Sequence, residues 1–90
     1  MAVKMTLQIQ NEKGLHARAS AKFVEMVEMF DAKAVVSRDS IDVSGNSIMG
    51  LMMLGAAKGT TIDVETNGVQ EIELAAALKE LVDGLFDEGT

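Results

Sequence analysis

Cysteine, proline, tryptophan and tyrosine are all missing from this chain of 90 residues, whose only aromatics are three phenylalanines. Without cysteine there is no disulfide framework, no thiolate metal site and no thiol redox chemistry, and the composition suits a reducing cytoplasm. No segment reaches the roughly 18 consecutive apolar residues that a membrane-spanning helix requires. The opening MAVKMTLQIQ has neither the apolar stretch nor the small-residue cleavage site of a secretory leader. The expectation is a soluble, cytoplasmic protein with no direct membrane binding. Basic residues are few, eight against 14 acids, for a net charge of −6. That balance repels phosphate backbones and anionic lipid, and no basic stripe or set of stacking rings offsets it, so nucleic acid is not an expected partner. One histidine and no EF-hand spacing leave a metal without donors. Gly50 and Gly55 have the offset of a P-loop, but Ala56 stands where its lysine must follow. Asp39, Asp42, Asp63 and Glu65 read as solvated strand faces and turns, not as a paired-carboxylate site. No cofactor or metal is expected.

What is present is periodicity. Val3, Met5, Leu7 and Ile9 alternate with polar residues, the period of a half-buried strand. From about Ala17 to Phe30, Ala21, Phe23, Val24, Met26, Val27 and Phe30 recur at helical steps. KAVVSRDSIDVSG gives two short β-branched runs around a turn at Arg38 to Ser40, a hairpin. NSIMGLMML reads as a short helix with cap chemistry at its start and Gly55 as its stop. TTIDVET is a fourth strand with Ile62 and Val64 inward, Asn67 and Gly68 make a turn, and Ile72, Ala75, Leu78, Leu81, Val82 and Leu85 mark a last helix. The final DEGT is expected to fray. The chain has room for one domain over residues 1–90, in the order βαββαβα. The expected fold class is α+β: an open-faced β-sandwich, a four-stranded, mostly antiparallel sheet with three helices on one face.

Two short stretches carry candidate chemistry. In NEKGLHARASAKF, His16 falls at or next to the N-cap of the first helix. Unpaired amides and the positive end of the helix dipole gather there, so an anion placed on the ring would be stabilised. Histidine is nucleophilic near neutral pH, and Arg18 can reach a phosphoryl oxygen with its planar guanidinium. An ordinary polar cap explains the same position, and pattern alone leaves both readings open. In NSIMGLMML, Ser47 reads as a helix N-cap, but a phosphate added there would be held by the same amides, so it also suits a switch. Leu51 and Leu54 are expected to face the core. Ile48, Met49 and Met52 are then left as an exposed apolar patch, unless they form a plain core stripe.

GLHARASAKF resembles the active-site segment of the HPr family, the histidine-containing phosphocarriers of the bacterial phosphoenolpyruvate-dependent phosphotransferase system, and NSIMGLMMLGAAKG resembles its regulatory-serine segment. The resemblance covers essentially the whole chain. It implies an open-faced β-sandwich and a carrier, not an enzyme. By it, His16 is the phosphorylated histidine, through Nδ1, Arg18 the arginine that assists it, and Ser47 the serine modified by HPr kinase/phosphorylase. Ile48, Met49 and Met52 match the surface that docks on enzyme I and IIA domains, and Lys22 with Arg18 supplies the nearest positive charge. The expected state is a monomer. Ala19 stands where the family usually has proline; alanine also suits a first helical turn, and the turn is expected to need no donor there. The alternative function is a regulatory binding module, in a nitrogen or carbon regulation branch, whose phosphorylation state selects partners.

Overall fold

The structure, a computed structural model, describes residues 2–90. Its elements run β1 (Val3–Gln8), α1 (Ala17–Glu28), β2 (Lys33–Arg38), β3 (Ile41–Ser44), α2 (Ile48–Met53), β4 (Thr61–Asn67) and α3 (Glu71–Asp83), followed by a 3₁₀ turn at Leu85–Asp87. The four strands form one sheet in the order β1-β4-β2-β3, and every pairing is antiparallel. Asp39 and Ser40 connect β2 to β3 with φ of 52° and 68°, the pair of positive values that a tight hairpin matched to the strand twist needs.

Strand alternation sorts the sheet into two faces. Leu7, Ala34, Val36, Ile62 and Val64 are buried beneath the helices, against Phe23, Val24 and Val27 of α1, Leu51 of α2 and Leu74, Leu78 and Val82 of α3. Burying each of the Val, Leu, Ile and Phe side chains among these stabilises by about 1.5–3 kcal/mol. Lys4, Thr6, Ser37, Asp63 and Glu65 line the opposite, open face. There the paired residues Thr6 and Asp63 also meet through a side-chain hydrogen bond of 2.7 Å. Arg38 ties the hairpin to α2: its Nη1 donates to Leu54 O at 2.9 Å, a cation on the carbonyl end of the helix.

Four expectations need correction, the first being Leu85, which lies past the end of α3 at Asp83 with φ of 60° and is not part of that helix. The first helix stops at Glu28, because Met29 N and Phe30 N bond to Met26 O and Val27 O, three residues back, which tightens the last turn. Ile72 is not part of the buried stripe of α3 but is 70% exposed. At about 100° per residue it lies roughly 120° around the axis from Leu78, outside the arc that faces the sheet. The terminal DEGT is held and does not fray. Phe86 is fully buried beside it, Glu88 Oε1 accepts from Asn11 Nδ2 at 3.0 Å, and Glu12 N donates to Thr90 O at 3.3 Å.

Candidate functional site

His16 is the N-cap of α1, with extended backbone (φ −75°, ψ −176°) and a ring that takes the place of a capping oxygen: Nδ1 accepts from Ala19 N at 3.3 Å. This corrects the expectation that the first turn needs no donor at residue 19. The first bond within the helix runs from Ser20 N to His16 O, so the amides of Ala17 and Arg18 are those a helix start leaves without intrahelical acceptors. Gly14 sets the approach. Its φ is +63°, and a Cβ there would lie 2.3 Å from Ala56 O, so only glycine lets the loop come this close. Leu15 N then donates to Ala56 O at 3.0 Å, fixing the residue just before His16.

Around the ring, Lys13, Arg18 and Lys22 line one depression together with Asp87, Glu88 and Thr90. Three of the chain's eight basic residues thus gather at His16, facing two acidic side chains, Asp87 and Glu88, across the same depression. Lys22 is also a structural tie, its Nζ donating to Phe86 O at 2.6 Å. Glu88 Oε2 lies 2.9 Å from His16 Nε2. The two are close enough to pair as ions, yet Oε2 is buried and accepts no hydrogen bond of good geometry. Asn11, fully buried, bridges the two sides of this arrangement, its Nδ2 reaching both Gly14 O at 2.9 Å and Glu88 Oε1. Neither Asn11 nor Glu88 was singled out by sequence. The available signals were an asparagine opening the NEKG turn and a phenylalanine close enough to the C-terminus to anchor it.

The second candidate lies on α2. Ser47 caps this helix, Oγ accepting from Gly50 N at 3.0 Å. Leu51 and Leu54 are buried, whereas Ile48 and Met52 are 41% exposed and Met49 71%. Met53, equally open at 71%, belongs to the same patch, though its place after Met52 in an unbroken apolar run concealed this. α2 packs on α1. The sequence-derived residues therefore divide into His16, Arg18 and Lys22 around the depression and Ser47, Ile48, Met49 and Met52 on the neighbouring short helix. Among the described residues, no group of three or more His, Cys, Asp or Glu could hold a metal ion, and no helix is long and apolar enough to cross a membrane.

Residues 3–84 match the family model described as the PTS HPr component phosphorylation site. The chain belongs to the HPr family. It is 48% identical over 87 residues to the phosphocarrier protein HPr of Neisseria meningitidis serogroup A, covering 97% of this chain and 98% of that one. It is 42% identical over 89 residues to the phosphocarrier protein NPr of Klebsiella oxytoca, covering 98% and 99%. Among solved structures, the crystal structure of HPr-C-His from Thermoanaerobacter tengcongensis is similar with a TM-score of 0.91 and 36% identity, over 96% of this chain and 97% of that one. The family accounts for the four-stranded antiparallel open sheet with its three helices. Its members are phosphocarriers of the phosphotransferase system, not catalysts with turnover of their own.

Proposed function

We propose that His16 is the residue that carries the phosphoryl group, accepting it from enzyme I and passing it to IIA domains in sugar uptake. The observation that supports this is the setting of one imidazole: it caps a helix start inside a depression where Lys13, Arg18 and Lys22 stand with Asp87 and Glu88. In the transfer, the Nδ1 lone pair attacks phosphorus as the bond from phosphorus to enzyme I breaks and its electron pair leaves with enzyme I. The Ala19 amide must release Nδ1 first. The phosphoryl oxygens then fall to the amides of Ala17 and Arg18, the helix dipole and the guanidinium of Arg18. Such a step needs a nucleophile, an anion cradle and access more than an enclosed pocket.

Ser47 fits as the regulatory position for HPr kinase/phosphorylase. Ile48, Met49, Met52 and Met53 form the face that partners cover, with Lys22 supplying charge from α1. We expect the chain to act as a cytoplasmic monomer. A second reading is a nitrogen-regulation or carbon-regulation module whose phosphorylation state selects partners, and the likeness to NPr over nearly the full length favours its nitrogen branch. One experiment separates the two: label from phosphoenolpyruvate is followed onto the protein with enzyme I, then off it when a IIA domain is added. Acid-labile label that arrives and leaves supports the carrier, and label that arrives and stays supports the regulatory module. No label at all would remove His16 from the reaction.

A further inference from the structure

The chain reaches Glu88 by an uncommon route. Leu85, Phe86 and Asp87 are three successive non-glycine residues with left-handed φ of 60°, 53° and 61°. Each is disfavoured for an L-residue, and such conformations persist only where surrounding contacts over-determine them. Here the contacts are plain: the Phe86 ring is fully buried, Phe86 O accepts from Lys22 Nζ, and Glu88 Oε1 is held by the buried Asn11. The product of this turn is a carboxylate oxygen, Oε2, that lies 2.9 Å from His16 Nε2, buried and without a well-formed hydrogen bond. A buried carboxylate oxygen is costly unless a positive or proton-bearing group faces it, and Nε2 is the group that does.

We propose that Glu88 is a positioning residue for His16 that fixes which ring nitrogen is nucleophilic. A neutral imidazole carries one proton, and a carboxylate beside Nε2 keeps it there. The Ala19 amide, pointing its hydrogen at Nδ1, requires a lone pair at that atom and so selects the same tautomer. Phosphoryl transfer then takes place at Nδ1 with no proton gained or lost. Nε2 keeps its hydrogen, the ring becomes cationic, and Glu88 faces that charge. The inference rests on His16 being the phosphoryl acceptor, as proposed above.

Glu88→Gln and Glu88→Ala separate positioning from simple anchoring of the C-terminal turn. In Glu88→Gln the amide oxygen can keep the bond from Asn11, which turns the amide NH₂ toward Nε2. A donor there demands a lone pair on Nε2 and moves the ring proton to Nδ1, the inversion that an Asp-to-Asn change produces beside a reactive histidine. The enzyme I-dependent phosphorylation rate is expected to fall on the order of ten-fold in Glu88→Gln and less in Glu88→Ala, which has no donor to impose. A role confined to anchoring gives the reverse order, with Glu88→Gln close to the parent and Glu88→Ala the slower, and would overturn the proposal. The ring ¹⁵N shifts of this single histidine, read in the unphosphorylated protein, report the tautomer without any transfer. Proton on Nε2 in the parent and gained by Nδ1 in Glu88→Gln is the expected result, and an unchanged tautomer refutes the positioning role. If the parent took no label while its ¹⁵N shifts behaved as expected, the acceptor assignment would fail and the tautomer control would stand.

Discussion

The backbone amide of Ala19 donates to Nδ1 of His16 across 3.3 Å, so the imidazole serves as cap to the helix it begins. One atom thus has two employments. As a cap it satisfies a first-turn donor; as a nucleophile it must present its lone pair outward, and the two cannot be done at once.

Replacing the ring by alanine separates them. His16→Ala is expected to abolish acid-labile labelling from phosphoenolpyruvate and enzyme I, since no other histidine exists in the chain. The lost cap should lower stability by only about 1 kcal/mol, as at other N-caps. Label after acid treatment and a denaturation midpoint check both parts. Undiminished acid-labile label in the variant would refute the acceptor assignment.

Ala19→Pro removes the competing donor and keeps the ring. Residue 19 lies in the first turn, before the bond from Ser20 N to His16 O, so proline breaks no backbone bond of α1. The lost cap, about 0.5–1.5 kcal/mol, is offset by the reduced freedom of the unfolded chain, about 0.4–1 kcal/mol. Stability should therefore stay within about 1 kcal/mol of the parent, while phosphoryl acceptance becomes faster because Nδ1 no longer has to shed a hydrogen bond. Stopped-flow acceptance rates and amide protection along α1 test this. Slower acceptance with α1 intact would mean that the Ala19 amide assists the transfer.

The division between what the sequence revealed and what it hid follows from the range of the interactions. Alternation in TTIDVET and the turn at Asp39 and Ser40 are local signals, and the strands and hairpin follow them. His16 and Ser47 were found because capping is decided within three residues, His16 with Ala19 and Ser47 with Gly50. Asn11 and Glu88 stand 77 positions apart and meet only once the sheet and α3 have brought the chain ends together. No local pattern encodes that meeting. The three left-handed residues before Glu88 were equally illegible, because Leu85 and Phe86 are side chains that give no hint of positive φ. Ile72 misled for the opposite reason: it is apolar and three residues from Ala75, yet its side of α3 has nothing to pack on.

Phe86 is the buried anchor of that turn, and its truncation should be felt in two places. Phe86→Ala empties a fully buried site and is expected to cost about 3–5 kcal/mol. The carbonyl that receives Lys22 and the carboxylate beside His16 should lose their fixed positions together. Urea denaturation measures the first effect. The second appears as raised amide exchange at Glu88 and in the residues from Asn11 to Leu15, with the sheet still protected. A loss below about 1 kcal/mol, the size of an ordinary surface change, would show that the turn holds itself without the ring.

A phosphate on Ser47 would sit at the start of α2, where Oγ already accepts from Gly50 N. Ile48 and Met49, the next two residues, are exposed, so the added charge lies beside the apolar patch. The fold should persist and gain at most about 0.3–1 kcal/mol from the charge at the helix end. The effect falls on docking: when a partner covers this patch the charge must be desolvated or brought near partner acids, so association weakens. Ser47→Asp, with one negative charge, should reproduce part of that loss, and Ser47→Ala should leave transfer to His16 near the parent rate. Because the charge is exposed until the complex forms, raising salt should narrow the gap between Ser47→Asp and the parent. The measurement is the enzyme I-dependent phosphorylation rate of the three proteins at low and high salt. Equal rates for Ser47→Asp and the parent at low salt would leave Ser47 an ordinary helix cap.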